Sequence, residues 1–250
     1  MAMSVAERTS QTRAPTLDPG RSALFLDLDG TLAPIAPRPE AVGPDARRTG
    51  LLRRLVRATR GRLAVVSGRT LPDLDRILEH QIRSLAAVHG LVRRDAEGVV
   101  HMSPRPAGMT PALAAFRAFA TRHPGLLVED KDLSVTLHYR QAPDLAGAVQ
   151  AEAGRVAAET GLTAQPGKMV MELRATGPHK GDSVRAFMAE PPFAGAIPIF
   201  VGDDLTDEAG FVAAEALGGF GVLVGPERLT AARYRLADPE AALSWLEGAS

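Results

Sequence analysis

Five short runs constrain this chain more than any other feature: Ala23-Leu-Phe-Leu-Asp27, Leu63-Ala-Val-Val-Ser67-Gly68, Leu85-Ala-Ala-Val-His89-Gly90, Ile197-Pro-Ile-Phe-Val-Gly202-Asp203-Asp204 and Gly221-Val-Leu-Val-Gly225. Each is apolar throughout instead of alternating, and each ends in glycine or a polar side chain. A strand with one wet face alternates, so a run that is apolar at every position must be covered on both faces. Helix-like stretches near 44–60, 71–80, 180–190 and 204–217 separate the runs, and Thr70-Leu-Pro-Asp73 reads as an N-cap with an acid at the third helical position. Strand, helix, strand in this order predicts an α/β fold, a doubly wound parallel sheet.

The middle of the chain has another period. After Pro104 and Pro106 the pattern predicts a helix at 108–122, strands at 126–131 and 133–140, a helix at 143–160, and strands at 162–166 and 168–174. Here the strands alternate. Leu133, Val135, Leu137 and Tyr139 fall on one face, with Ser134, Thr136, His138 and Arg140 on the other. Met169, Met171 and Leu173 likewise oppose Lys168, Val170, Glu172 and Arg174. This predicts an α+β layer, helices on one face of an antiparallel sheet whose other face is wet. The expected division is a polar, disordered leader over 1–20, a catalytic core of 21–104 and 178–250, and an inserted cap of 105–177.

Composition narrows the class of function. Lys plus Arg equals Asp plus Glu at 29 each, which argues against nucleic acid as a partner. No apolar run approaches the roughly 20 residues that span a bilayer, and Met1–Gly20 lacks the apolar stretch of a secretory signal, so no membrane partner is expected. Cysteine is absent, which excludes disulfides and thiolate metal sites and fits a reducing cytoplasm.

Chemistry gathers at the ends of the runs, where an open α/β sheet binds ligands. Asp27-Leu-Asp29-Gly30 places two carboxylates at i and i+2, a repulsion that a divalent cation or a shared proton resolves. Taken alone, the same residues also fit solvated acids before an Asp-Gly turn. Gly202-Asp203-Asp204-Leu205-Thr206-Asp207-Glu208 packs four acids behind a later strand. Helix capping explains one or two of them. Magnesium, an oxygen-seeking ion that takes one or two carboxylates plus phosphate, suits Asp27 and Asp203. Ser67 at a strand-to-helix turn offers a hydroxyl for a phosphate oxygen, although an ordinary capping turn looks the same. Lys180 stands at a helix start, where its charge opposes the helix dipole and therefore needs another reason.

In order along the chain, Asp-x-Asp-Gly-Thr-Leu (27–32), Val-Ser-Gly-Arg (66–69), Lys-Gly (180–181) and Gly-Asp-Asp-x-Thr-Asp-Glu (202–208) resemble the haloacid dehalogenase (HAD) superfamily of phosphatases. Val88-His89-Gly90, His138-Tyr139-Arg140 and Gly167-Lys168-x3-Glu172-Leu173-Arg174 narrow the resemblance to the trehalose-6-phosphate phosphatases, and it covers nearly the whole chain from Ala23. Leu28 and His179 are not the commonest residues at their positions in these motifs.

The resemblance implies a mechanism. Asp27 attacks phosphorus, and Asp29 protonates the departing sugar oxygen and then activates water. Lys180, Ser67 and Gly68 bind phosphate, and Mg²⁺ is held by Asp27, the Asp29 carbonyl and Asp203, with Asp204 and Asp207 in support. Glu129, Lys131, Arg140, Lys168 and Glu172 of a mobile cap, with Arg69, bind the sugar. Even spacing supports this separately, since 129/131, 138/140 and 168/172 each share one strand face. The implied substrate is trehalose 6-phosphate, a trehalose-6-phosphate synthase is a candidate partner, and a monomer is expected. Two rival functions remain: a related sugar phosphatase acting on sucrose phosphate or a glucosyl or mannosyl glycerate phosphate, and a non-catalytic sugar-phosphate module supporting a synthase. A phosphate-regulated signalling receiver would share the core but not the insertion. Finally, only Lys131, Lys168 and Lys180 are lysine among the 29 basic residues, and the resemblance assigns all three positions to the site.

Overall fold

The computed structural model describes residues 14–249. The chain forms two compact units, one running to His101 and resuming at Pro178, the other spanning Met102–Gly177. Of the expected leader, residues 1–13 lie outside the described residues. In the remainder, Leu17 is buried and the Trp245 indole N–H donates to the Pro15 carbonyl at 2.8 Å.

In the first unit, β1 (Ser22–Leu26) pairs in parallel with β2 (Leu63–Val66) on one side and β10 (Ile197–Gly202) on the other. The sheet continues in parallel through β3 (Ser84–Ala87) beyond β2 and through β11 (Phe220–Val224) and β12 (Tyr234–Leu236) beyond β10. An antiparallel β4 (Val92–Arg94) and then β5 (Val100–Met102) complete the far edge. The helices are α1 (Ala46–Ala58), α2 (Leu71–Ile77), α5 (Lys180–Met188), α6 (Glu208–Ala216) and α7 (Pro239–Glu247).

The five apolar runs all become strands buried along most of their length, as covering on both faces requires. Ala23 and Phe25 of β1 join a cluster with Val184, Phe187, Phe193, Phe200 and Phe211, in which the Phe25 and Phe193 rings stack at 5.6 Å. Leu24 and Leu26, which point the opposite way, are equally buried. Thr70 caps α2, accepting from the Asp73 N–H at 3.3 Å. Sequence pattern did not find β4, β5, β12 or α7. Each of the three strands has only three residues, too short for periodicity to speak. For α7 a signal existed: Asp238 before Pro239 is a capping pair, and the Asp238 side chain accepts from the Ala241 N–H.

In the second unit, α3 (Met109–Arg122) and α4 (Ala146–Thr160) cover one face of an antiparallel sheet ordered β6 (Leu127–Asp130), β7 (Ser134–His138), β9 (Val170–Arg174), β8 (Thr163–Gly167). Val135, Leu137, Tyr139, Met171 and Leu173 pack with Phe116, Val149 and Val156 of the helices, on the face that alternation selects. The polar face differs from expectation. Ser134, Thr136, Glu172 and Arg174 are buried, so its centre is a set of enclosed polar groups and not a wet surface.

Candidate active site

The site lies at the carboxyl ends of three adjacent strands, β10, β1 and β2. Asp27 leaves β1 buried, its N–H donating to the Val201 carbonyl at 2.9 Å, so the first acid is fixed by the neighbouring strand. Gly30 has φ +90°, and a Cβ there would collide with the Asp203 carboxylate, so the turn after β1 and the acid after β10 fit only because that residue is glycine.

Lys180 explains its own misplacement on a helix start. Its Nζ donates to Asp27 Oδ1 at 2.8 Å and to Asp207 Oδ1 at 2.6 Å, with all three groups buried. Burial alone pulls the ammonium down, but Asp207 and Asp27 outweigh it and hold the lysine above its ordinary value. Burial pushes the Asp27 carboxyl well above the usual carboxylate range; Lys180 pulls it back, while Asp207 and Asp203 push it up again. One ammonium does not balance three buried acids. Keeping Asp27 ionised calls for further positive charge.

The four acids after β10 divide by task. Asp203 is buried, and one of its carboxylate oxygens lies within 4.8 Å of oxygens from Asp27 and Asp207. Asp204 caps the following turn, accepting from the Leu205 N–H at 2.7 Å. Asp207 Oδ2 accepts from the N–H groups of Asp203 and Asp204, both at 2.9 Å, while its Oδ1 holds Lys180. Glu208 binds the 228–231 loop through Arg228, the Thr230 hydroxyl and the Ala231 N–H. With both Asp207 oxygens engaged, Asp27 and Asp203 are the acids better placed to take an ion. Two buried carboxylates this close suit a small oxygen-seeking divalent cation.

Ser67, buried at the end of β2, shares a turn with Gly68 and Arg69. Arg69, expected as a sugar contact, is engaged within the protein. Its Nε and Nη2 grip Asp29 at 2.6 and 2.8 Å, and Nη1 donates to the Pro39 carbonyl at 3.0 Å. The Val88-His89-Gly90 turn locks this segment from below. Val88 N–H donates to the Arg69 carbonyl and His89 N–H to the Ser67 carbonyl, while Val88 and His89 both hold positive φ. A Cβ on Gly68 would collide with the His89 ring, and one on Gly90 with the His179 carbonyl. This motif therefore braces both the Ser67 turn and the start of α5.

The candidate sugar residues fall into two groups. Glu129, Lys131 and Glu172 gather on the polar face, Lys131 Nζ lying 3.8 Å from Glu129 and 3.7 Å from Glu172. Arg140 donates to the Lys168 carbonyl at 2.9 Å, in the turn between β8 and β9, where Lys168 itself is exposed. Three further residues join the first group. His138 Nε2 lies 2.9 Å from Glu129 Oε2, the Ser134 hydroxyl donates to Glu172, and the Thr136 hydroxyl is buried with no hydrogen-bond partner. Strand parity had placed all three on this face. His138 also stood in the His138-Tyr139-Arg140 motif, whereas nothing local singled out Ser134 or Thr136. His138 and Lys131 outweigh the upward push of burial and hold the Glu129 carboxyl below the usual range.

The α/β fold is shared with a phosphatase of the haloalkanoate (HAD) enzyme superfamily from Bacteroides thetaiotaomicron, with a TM-score of 0.62 over 94% of this chain and 97% of that one at 16% identity, a likeness of fold. The family model for trehalose-phosphatase matches residues 25–240, and the chain belongs to that family. It is 40% identical over 239 residues to the trehalose-6-phosphate phosphatase of Escherichia coli K12, covering 94% of this chain and 89% of that one. A crystal structure described as a trehalose-6-phosphate phosphatase related protein superposes with a TM-score of 0.73 at 28% identity, covering 90% and 95%. The chain is accordingly a phosphatase.

Proposed function

We propose that the protein hydrolyses trehalose 6-phosphate to trehalose and phosphate in two displacements at Asp27, with Mg²⁺ as cofactor. The observation that carries the reading is the buried Lys180 bridging Asp27 and Asp207 beside Asp203: a nucleophile held in place at a strand end, with an excess of negative charge that a cation would offset. An Asp27 oxygen bonds to phosphorus as the bond to the sugar oxygen breaks, and Asp29 gives that oxygen its proton. Water then attacks the phosphorus of the aspartyl phosphate, Asp29 takes the water proton, and phosphate leaves with Asp27 restored. Lys180 and the Ser67 hydroxyl bind phosphate oxygens, and backbone at Gly68 lets the phosphate approach. Asp27, the Asp29 carbonyl and Asp203 would hold the metal, with Asp207 and Asp204 fixing their loop. When bound, the ion supplies charge stabilisation for the transferring phosphoryl group.

Glu129, Lys131, Glu172, Arg140 and Lys168 are the recognition residues for the disaccharide, a reading supported by their shared polar face. No helix among the described residues is long and apolar enough to cross a membrane, and the cysteine-free composition suits the cytoplasm as the place of reaction. Phosphate release tests the whole reading. Trehalose 6-phosphate is expected to turn over far faster than glucose 6-phosphate, with EDTA abolishing the reaction. Equal rates on the two sugars refute the substrate, and full activity in EDTA refutes the metal.

A further inference from the structure

We infer that Arg69 is the positioning residue for Asp29, aiming its carboxylate for both proton transfers, and that it acts through Asp29 instead of holding the sugar. This rests on the reading of Asp29 as the acid and base. The contact is a side-on fork: Nε to Oδ2 at 2.6 Å and Nη2 to Oδ1 at 2.8 Å. Two parallel bonds fix the plane of a carboxylate, which one bond leaves free to rotate. The two side chains are unequally exposed, Arg69 at 9% and Asp29 at 34%. The fork is thus the enclosed half of the pair, and the carboxylate is the half that a sugar oxygen or a water can reach.

Arg69 is itself held in several directions. Nη1 donates to the Pro39 carbonyl, the Arg69 carbonyl accepts from the Val88 N–H, and the Arg69 N–H donates to the Ser67 hydroxyl at 3.2 Å. A sugar-binding arginine would keep its fork for the ligand. Here Nε, Nη1 and Nη2 all donate within the protein. Asp29, by contrast, sits on the turn after β1, and without the fork its side chain could swing among rotamers. Proton transfer demands hydrogen-bond reach to the moving proton, and misplacement by an ångström is costly. Because Ser67 and Arg69 are two residues apart on one braced turn, the phosphate-binding hydroxyl and the aim of the acid are set by a single piece of backbone.

The test is a double-mutant cycle on trehalose 6-phosphate hydrolysis with Arg69→Met, Asp29→Asn and the double variant, alongside Arg69→Lys. Arg69→Met is expected to lower kcat by about 10- to 100-fold with KM changed less than about twofold. Arg69→Lys keeps the charge but not the fork and is expected to remain impaired. In the Asp29→Asn background, removing Arg69 is expected to cost less than about twofold, because its only route to the reaction is gone. Acid-quenched samples of Arg69→Met with a good-leaving-group aryl phosphate are expected to show accumulated phosphoenzyme, since that substrate needs little acid help but still needs the base. A purely structural role would not produce that accumulation. If Arg69→Met does not fold, Arg69→Lys goes through the same cycle. Additive losses in the cycle, or a raised KM with intact kcat, overturn the inference. Wild-type kcat in Asp29→Asn overturns the acid–base reading and the inference with it.

Discussion

Each unit of the molecule sets one lysine between two carboxylates, and the distances differ. Lys180 lies 2.8 and 2.6 Å from Asp27 and Asp207, with its side chain 3% exposed. Lys131 lies 3.8 and 3.7 Å from Glu129 and Glu172, with its side chain 9% exposed. The first is a tight set of charge-assisted hydrogen bonds, in which two of the three ammonium donors hold the nucleophile and its neighbour and one is left for phosphate. The second is attraction without hydrogen bonds, which leaves the ammonium able to turn its donors to a ligand. Chemistry needs charges that do not move, since reorganisation would add to the barrier. Recognition needs charges that are near but not yet satisfied by one another.

The sharpest way to break this comparison is at Asp27. Asp27→Asn is expected to abolish phosphoenzyme formation and to lower kcat by about 10⁴-fold or more, as loss of a nucleophile does. Acid-quench labelling and steady-state phosphate release check both effects, and residual turnover near wild type would show that this tight set of bonds serves another end.

Next come the two lysines side by side. Lys180→Met strands two buried carboxylates and is expected to cost about 3–5 kcal/mol of stability along with activity. Lys131→Met, which leaves Glu129 with His138 and Glu172 with the Ser134 hydroxyl, is expected to cost less stability than Lys180→Met while lowering kcat/KM for the disaccharide phosphate, with an aryl phosphate little affected. Urea unfolding and paired kinetics on the two substrates measure this, and equal stability losses would erase the distinction drawn above.

A smaller effect concerns Thr136, whose hydroxyl is buried with no partner between Glu129 and Glu172 on neighbouring strands. Thr136→Val removes an unsatisfied polar atom and is expected to raise stability by about 1 kcal/mol, read as a higher urea midpoint. A destabilised variant would mean that the hydroxyl bonds to something in solution.

The smallest effect is a pH dependence at Glu129. Its carboxyl sits below the ordinary value of 4.5, burial opposing and the His138 bond and Lys131 charge prevailing. A depressed folded-state value contributes stability that is complete above the unfolded value and is lost as pH falls through the folded one. The melting-temperature gap between wild type and Glu129→Gln is therefore expected to hold near neutrality and to close as pH drops below about 4.5. A gap that widens on acidification would contradict the sign.

Much of this was legible in the residues. Runs without alternation meant burial on both faces, and β1, β2, β3, β10 and β11 are where those runs lie. Parity sorted Val135 and Leu137 from Ser134 and Thr136, because a strand turns successive side chains to opposite faces whatever surrounds it. The oddity of Lys180, a cation at the wrong end of its helix, pointed to partners outside the helix, and they are Asp27 and Asp207. Arg69 was legible as part of a turn but not as the partner of Asp29, forty residues earlier.

What the sequence by itself determined is therefore local: where the longer strands and most helices lie, which face a side chain takes, and which residue types crowd at each strand end. Backbone periodicity and side-chain chemistry are properties of a short stretch and need no knowledge of the rest. The tertiary structure alone decided the pairings. Asp207 became the anchor of Lys180, Arg69 the clamp on Asp29, and the polar face of β7 and β9 an enclosed set of polar groups in place of a wet surface. Burial and partner depend on which distant segments arrive at one place. That arrival is settled by the packing of the whole core, and no window along the chain contains it.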